Sequence, residues 1–250
     1  ARGTLLVTER FRAGWHVGRV VSRRPETASA VRLEIDVPTW PGNHAGSHLD
    51  IRLTAPDGYQ ATRSYSIASS GPAMRVILAV DEVPEGEVSP YLVHGLAAGD
   101  EIELHGPLGR YFVWTPDDPD PAPVQLIAGG SGVVPLFAMA AAREREARGP
   151  DFRLLYSVRT PDDVFFADEL AALAVVSVDV VHTRRVPAAA AHPPGRLTRK
   201  SLADSIFPAV ATPRVYVCGP TPFVETVSDW LAQLGHDPLR IRTERFGGSG

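Results

Sequence analysis

Gly129-Gly130-Ser131-Gly132-Val133-Val134-Pro135, read with the apolar run Val124–Ala128 before it, decides the fold of the second half of this chain. A continuous apolar strand that feeds a glycine turn and then a helix is the context a phosphate-binding turn requires. Gly130 and Gly132 let the backbone approach a pyrophosphate, Ser131 adds a hydroxyl, and the helix N-terminus offers unpaired N–H groups. Pro135 stands where the usual dinucleotide fingerprint has its third glycine, in the first helical turn, where a missing N–H costs nothing. A plain strand-to-helix turn has the same pattern. A nucleophile elbow does not, because Ser131 lacks the second flanking glycine at the required spacing.

Downstream, Phe152–Val158, Val175–Val181, Arg214–Val217 and Leu239–Thr243 read as further strands. Helical patterns cover Pro135–Arg148, the region of Phe165–Leu173, and Pro222–Leu234, where Phe223, Val227, Trp230, Leu231 and Leu234 share one face. Strand–helix alternation predicts a doubly wound parallel sheet with helices on both faces. Cys218-Gly219-Pro220 then sits at the carboxyl end of the fourth strand, the edge where such sheets bind ligands. The second strand ends in Arg159, where a dinucleotide fold usually carries an acid, and Thr183-Arg184 follows the third. Two cations there favour a 2′-phosphate through charge-assisted hydrogen bonds, although loop arginines are common on any surface.

Upstream the rhythm is different. Val17–Ser22, Ala30–Val37, His48–Thr54, Ser64–Ala68, Met74–Val83 and Glu101–Leu104 are short β-rich segments punctuated by Pro and Gly, with a helical stretch near Pro90–Leu96. They predict a small antiparallel Greek-key β-barrel. The stretch from Thr115 to Pro123 has four prolines and no apolar pattern, so it reads as a stiff connector. The expected domains are residues 1–117 and 118–250.

Composition excludes several classes. A net charge of −4 argues against a general nucleic-acid binder, and no apolar run approaches the ~20 residues of a membrane span. Residues 1–12 lack the layout of a signal peptide. The single cysteine, Cys218, allows no internal disulfide and no ordinary iron–sulfur cluster, which fits the reducing cytoplasm. Arg10, Arg12, Arg19, Arg23 and Arg24 form a basic cluster that is either a docking face for an acidic carrier or ordinary solvated surface. His44 and His48 have helical metal-ligand spacing, but Pro41, Gly42 and Gly46 argue against a helix, so no metal site is expected. Oligomeric state is not legible.

On a strand, Arg63 and Tyr65 point to one face and Ser64 and Ser66 to the other. Arg63-Ser64-Tyr65-Ser66, the glycine turn and Cys218-Gly219-Pro220, in that order, resemble the ferredoxin–NADP reductase family of two-domain flavoproteins over nearly the whole chain. The resemblance implies an NAD(P)H oxidoreductase with FAD on the barrel and the dinucleotide on the α/β half. Arg63 would hold the flavin phosphate, Tyr65 would stack on the ring system, and Ser66 would bond the flavin N5, with Ser64 among the contacts. Gly86-Glu87-Val88-Ser89 matches the family's pyrophosphate turn and favours FAD over FMN. Cys218 would lie near the nicotinamide C4, with Gly219 and Pro220 framing it. Thr183 and Arg184 would take the 2′-phosphate of NADP(H), with NADH also admitted. Glu244 would pass protons, and Phe246 would cover the flavin's open face. The implied acceptor is a ferredoxin or a separate oxygenase component. The competing readings are a flavin or quinone reductase with a small-molecule acceptor, and an electron-transfer subunit active only with a partner chain.

Overall fold

The computed structural model describes residues 11–187 and 193–246. The first half is a sheet of six antiparallel strands, β1 (Gly14–Pro25), β2 (Ala30–Asp36), β3 (His48–Thr54), β4 (Gln60–Ser66), β5 (Arg75–Asp81) and β6 (Glu101–Leu108). They are hydrogen-bonded in the order β4-β3-β6-β1-β2-β5. The two edges meet: Ile67, just past β4, bridges to Leu78, and the Ala68 N–H donates to the Ile77 carbonyl at 2.8 Å. Closure removes edges that an open sheet would offer to other chains. Leu33 and Ile35, two apart on β2, and Leu49 and Ile51, two apart on β3, face inward and are fully buried with Leu78 and Leu104. Each such side chain contributes about 1.5–3 kcal/mol of burial.

The second half is a five-stranded parallel sheet. Its strands are β7 (Val124–Gly129), β8 (Phe152–Val158), β9 (Val176–His182), β10 (Arg214–Pro220) and β11 (Ile241–Phe246), in the order β11-β10-β7-β8-β9. Side-chain alternation sends Leu126, Ala128, Tyr216 and Cys218 to the face covered by α1 (Val133–Glu144) and α2 (Ala167–Ala171). Ile127, Val215 and Val217 face the opposite layer, α3 (Arg199–Ser205) and α4 (Thr221–Gln233). Strand order reverses between β7 and β10, so a crevice opens at their carboxyl ends.

Three features depart from the sequence expectation. α1 stops at Glu144 instead of Arg148, because buried Arg143 folds back and donates to the carbonyls of Pro150 at 2.8 Å and Glu146 at 3.0 Å. α3 has no counterpart in the sequence reading. The connector is not a bare spacer: Asp118 pairs with buried Arg214, and Asp120 with Arg240 at 2.7 Å.

The two halves share a core. Ala30, Ala45, Ala68 and Ala79 of the barrel pack in one cluster with Leu136, Met139 and Ala140 of α1. Small barrel residues let the helix come close. The Tyr216 hydroxyl donates to the Val113 carbonyl at 3.0 Å, tying β10 to the end of the barrel. Arg32 of β2, 7% exposed, pairs with Glu26 at 2.5 Å and with Glu169 of α2, while Glu26 also accepts the Phe166 N–H. The Arg32 guanidinium lies 4.5 Å from the centre of the Phe166 ring, which stacks on Phe137.

Three arginines of the basic cluster have partners within the chain. Arg19 pairs with Glu101, Arg24 with Glu169, and Arg23 donates to the Val93 carbonyl. Arg10 lies outside the described residues. No helix among the described residues is long and apolar enough to cross a membrane.

Candidate functional site

Strand register builds the site. β10 and β11 run side by side so that Cys218 lies beside Glu244 and Pro220 beside Phe246. In the barrel, β3 and β4 pair His48 with Ser66. These pairs meet where the two halves touch, around a cavity of about 150 Å³ lined by His48, Tyr65, Ser66, Cys218, Glu244 and Phe246 among others. Within the α/β half, Gly132 lets the glycine turn close on β10. A Cβ there would stand 2.4 Å from the Cys218 carbonyl oxygen, so the glycine turn can rest on the end of β10 only without a side chain.

Burial governs the chemistry of this cavity. It pushes the Tyr65 phenol up to about 12 and the Glu244 carboxyl up to about 7. Cys218 is 2% exposed, and burial, then the neighbouring Glu244, raise its thiol well above the ordinary value. It is therefore a neutral thiol, not a thiolate nucleophile. Glu244 is the group here that exchanges a proton near neutrality.

A second, larger hollow adjoins the first and shares Ser131 and Phe246 with it. This cleft of about 390 Å³ runs from Gly130 and Ser131 past Arg159 and Thr183 to Pro220 and Phe246. Gly130 has φ +55°, and nothing lies within 4 Å of where its Cβ would be, so its backbone faces open space. α1 starts directly behind the turn. Open backbone, a serine hydroxyl and a helix N-terminus fit the phosphates of a dinucleotide.

The structure brings most of the sequence-derived residues together and separates a few. Thr183 lines the cleft, whereas Arg184 is exposed and does not line it, its backbone N–H donating to the Arg159 carbonyl at 2.9 Å. Pro135 is buried in α1, and Gly219 is buried where the two turns pack. Val88 is fully buried in the barrel core, leaving only its backbone for a ligand. The Ser89 hydroxyl accepts the Val83 N–H at 3.0 Å and holds the turn closed. Arg63 reaches this turn through Glu87 at 2.6 Å, and Ser64 donates to Asp50 at 2.5 Å. Exposed pairs such as Arg63–Glu87 are worth about 0–1 kcal/mol, so a phosphate can take the guanidinium at little cost. The barrel strand and this turn thus fit a flavin nucleotide. His44 and His48 part company, His44 packing on Phe11 and His48 entering the small cavity. No group of three or more ligating side chains suited to a metal occurs among the described residues.

Several lining residues were missed from sequence. Thr27, Ser29 and Asp81 reach the cleft from the barrel, and Asp163 and Phe165 from the turn after β8. Only Asp163 left a local trace, as the last residue of Thr160-Pro-Asp-Asp163, a capping box.

Two family models match the chain. Residues 22–113 match the oxidoreductase FAD-binding domain, and residues 126–229 the oxidoreductase NAD-binding domain. Fold and site thus define an FAD- and NAD-binding oxidoreductase. The chain belongs to the ferredoxin–NADP reductase family. It is 31% identical to a flavohemoprotein of Rhodopirellula baltica, covering 81% of this chain and 52% of that protein. It is 28% identical to the electron transfer component of 2-halobenzoate 1,2-dioxygenase of Burkholderia cepacia, covering 80% of this chain and 58% of the relative. The chain thus spans little more than half the length of these relatives. Among solved structures, the FAD/NAD-binding domain of nitric oxide dioxygenase from Vibrio cholerae aligns at TM-score 0.79 and 25% identity. That alignment covers 95% of this chain and all of that domain, 100%.

Proposed function

We propose that this chain is an FAD-dependent NAD(P)H oxidoreductase that works in the cytoplasm and passes electrons through its FAD to a separate oxygenase component or a ferredoxin. The observation that carries the reading is the small cavity in which Tyr65 and Ser66 of the barrel meet Cys218 and Glu244 of the α/β half, continuous with the dinucleotide cleft. Bound FAD would supply the redox chemistry, taking two electrons from a reduced nicotinamide and releasing them singly.

The chain's own residues do the rest. Arg63 and the Gly86–Ser89 turn would hold the flavin phosphates, and Tyr65 would lie against the ring system, with Ser64 among the contacts. Ser66 presents a hydroxyl able to donate or accept as the proton count changes. Glu244, poised near neutrality by burial, holds the exchangeable proton. Cys218, small and neutral, forms a dry wall that brings the nicotinamide close. Gly130, Ser131 and Gly132 bind the dinucleotide phosphates, with Arg159 and Thr183 further along. Phe246 stands between the two hollows, placed to be displaced by an incoming nicotinamide. The division into residues 1–117 and 118–250 belongs to the same reading.

The acceptor follows from two supports: a similar protein is an electron-transfer component of a dioxygenase, and one cysteine builds no ordinary second redox centre within these 250 residues. The test is anaerobic. Flavin absorbance of the yellow protein should bleach on adding NADH or NADPH, and the electrons should pass on to a ferredoxin. Rapid turnover with free FMN and none with any ferredoxin would favour a small-molecule reductase instead.

A further inference from the structure

The cleft's charge does not suit two phosphorylated riboses equally. Among the described residues, three ionisable side chains line it: Arg159, Asp163 and Asp81, one cation against two carboxylates. Sequence reading finds Arg159 where dinucleotide folds usually place an acid, and the structure brings acids to that arginine from elsewhere. Asp163, four residues on, accepts from Arg159 at 3.4 Å and from the Thr160 N–H and hydroxyl at 2.9 and 2.8 Å. Asp81 arrives from the other domain, at the end of β5, and the Ser29 hydroxyl holds it at 2.7 Å. Arg159 and Asp163 are both near enough to act on the Asp81 charge, and burial raises its carboxyl.

We infer that Asp81 is a specificity-determining residue: a carboxylate supplied by the flavin-side barrel that makes this cleft prefer the unphosphorylated adenosine ribose of NADH over the 2′-phosphate of NADPH. The inference rests on the proposed dinucleotide reading of the cleft. A ribose hydroxyl donates to a carboxylate, which is how the usual acid at the end of the second strand selects NAD. A 2′-phosphate would meet two negative groups and one arginine already engaged with an acid, and like charges at a half-buried site repel strongly. Arg184, the other cation expected to help a phosphate, stands off the wall. Asp163 has most of its acceptor capacity filled by Thr160 and Arg159, so Asp81 is the acid more open to the ligand.

The test is equilibrium binding, independent of turnover. NAD+ and NADP+ are titrated into the FAD-loaded protein by calorimetry at low ionic strength. The unaltered protein should bind NAD+ about tenfold or more tighter than NADP+. Asp81→Asn, which can keep the Ser29 hydrogen bond, should close that gap by about fivefold to tenfold, mainly by tightening NADP+, while NAD+ changes less than about threefold. Asp163→Asn should move the ratio less. Raising salt should shrink the wild-type gap and leave that of Asp81→Asn nearly flat. Tighter NADP+ than NAD+ in the unaltered protein, or a ratio unmoved by Asp81→Asn, would overturn the inference. If Asp81→Asn fails to fold, the wild-type ratio decides alone. Failure to bind either nucleotide would strike the dinucleotide reading itself, a distinct result.

Discussion

The two hollows at the domain junction differ in kind. The small cavity holds groups that burial drives toward their neutral forms, Tyr65, Cys218 and Glu244. The larger cleft is walled by an arginine and two carboxyl groups beside open backbone. Where atoms react, neutral groups at close quarters exclude water and avoid stray charge. Where a charged ligand is recognised, fixed charges choose among candidates. The two hollows share Ser131 and Phe246.

The largest expected effect comes from the buried ion pairs that join the barrel to α2. Arg32→Ala leaves Glu26, whose side chain is 4% exposed, as an uncompensated buried charge. Stability should fall by about 3–5 kcal/mol in urea unfolding. Dinucleotide binding should weaken with it, while flavin retention by the folded protein stays near wild type. Equal losses of both ligands would mean that the hollows are not separable.

Next comes the proton on Glu244. Its folded value of about 7 lies above the unfolded value of 4.5, so the native state binds the proton more tightly. The resulting stability is fully present below pH 4.5 and is lost as pH rises through about 7. The loss at pH 8 amounts to at most about 3 kcal/mol. Glu244→Gln should retain that stability, and the difference between the two melting-temperature profiles should run across this window. Parallel profiles from pH 5 to pH 8, roughly the span where the term acts, would show that Glu244 is solvated in the native state.

Smaller still, Tyr65→Ala should raise the FAD dissociation constant about tenfold, near 1.4 kcal/mol, without altering the ratio of NAD+ to NADP+ affinity. Fluorescence on dilution of the holoprotein reads this directly. Smallest is the contrast of two arginines. Arg159→Ala should weaken both dinucleotides by roughly threefold to tenfold, whereas Arg184→Ala should stay within about twofold. A larger loss at Arg184 would move the binding site outward from the cleft.

Much of the architecture was legible because it is written in local periodicity. The inward pairs Leu33/Ile35 and Leu49/Ile51 mark strands, and a continuous Val124–Ala128 run before glycines marks the first parallel strand. α3 was missed because its seven residues, Arg-Lys-Ser-Leu-Ala-Asp-Ser, bury only Leu202 and show no apolar stripe. Within the site, Tyr65, Ser66, Cys218 and Ser131 announced themselves through motifs. Asp81 and Ser29 did not: neither belongs to a nucleotide motif. They reach the cleft only because β2 and β5 pair at the barrel edge nearest the α/β half. Arg184, next to Thr183 in sequence, is exposed and does not line the hollow that Thr183 lines.

The hydroxyl of Tyr216 reaches across to Val113, two positions along the same strand from the thiol of Cys218. Through that bolt and the alanine-lined seam beneath α1, the placement of the two halves is fixed locally. The proline-rich tether from 115 to 123 is then dispensable as a ruler. Severing it should leave the halves clasped, melting in one cooperative step and still yellow.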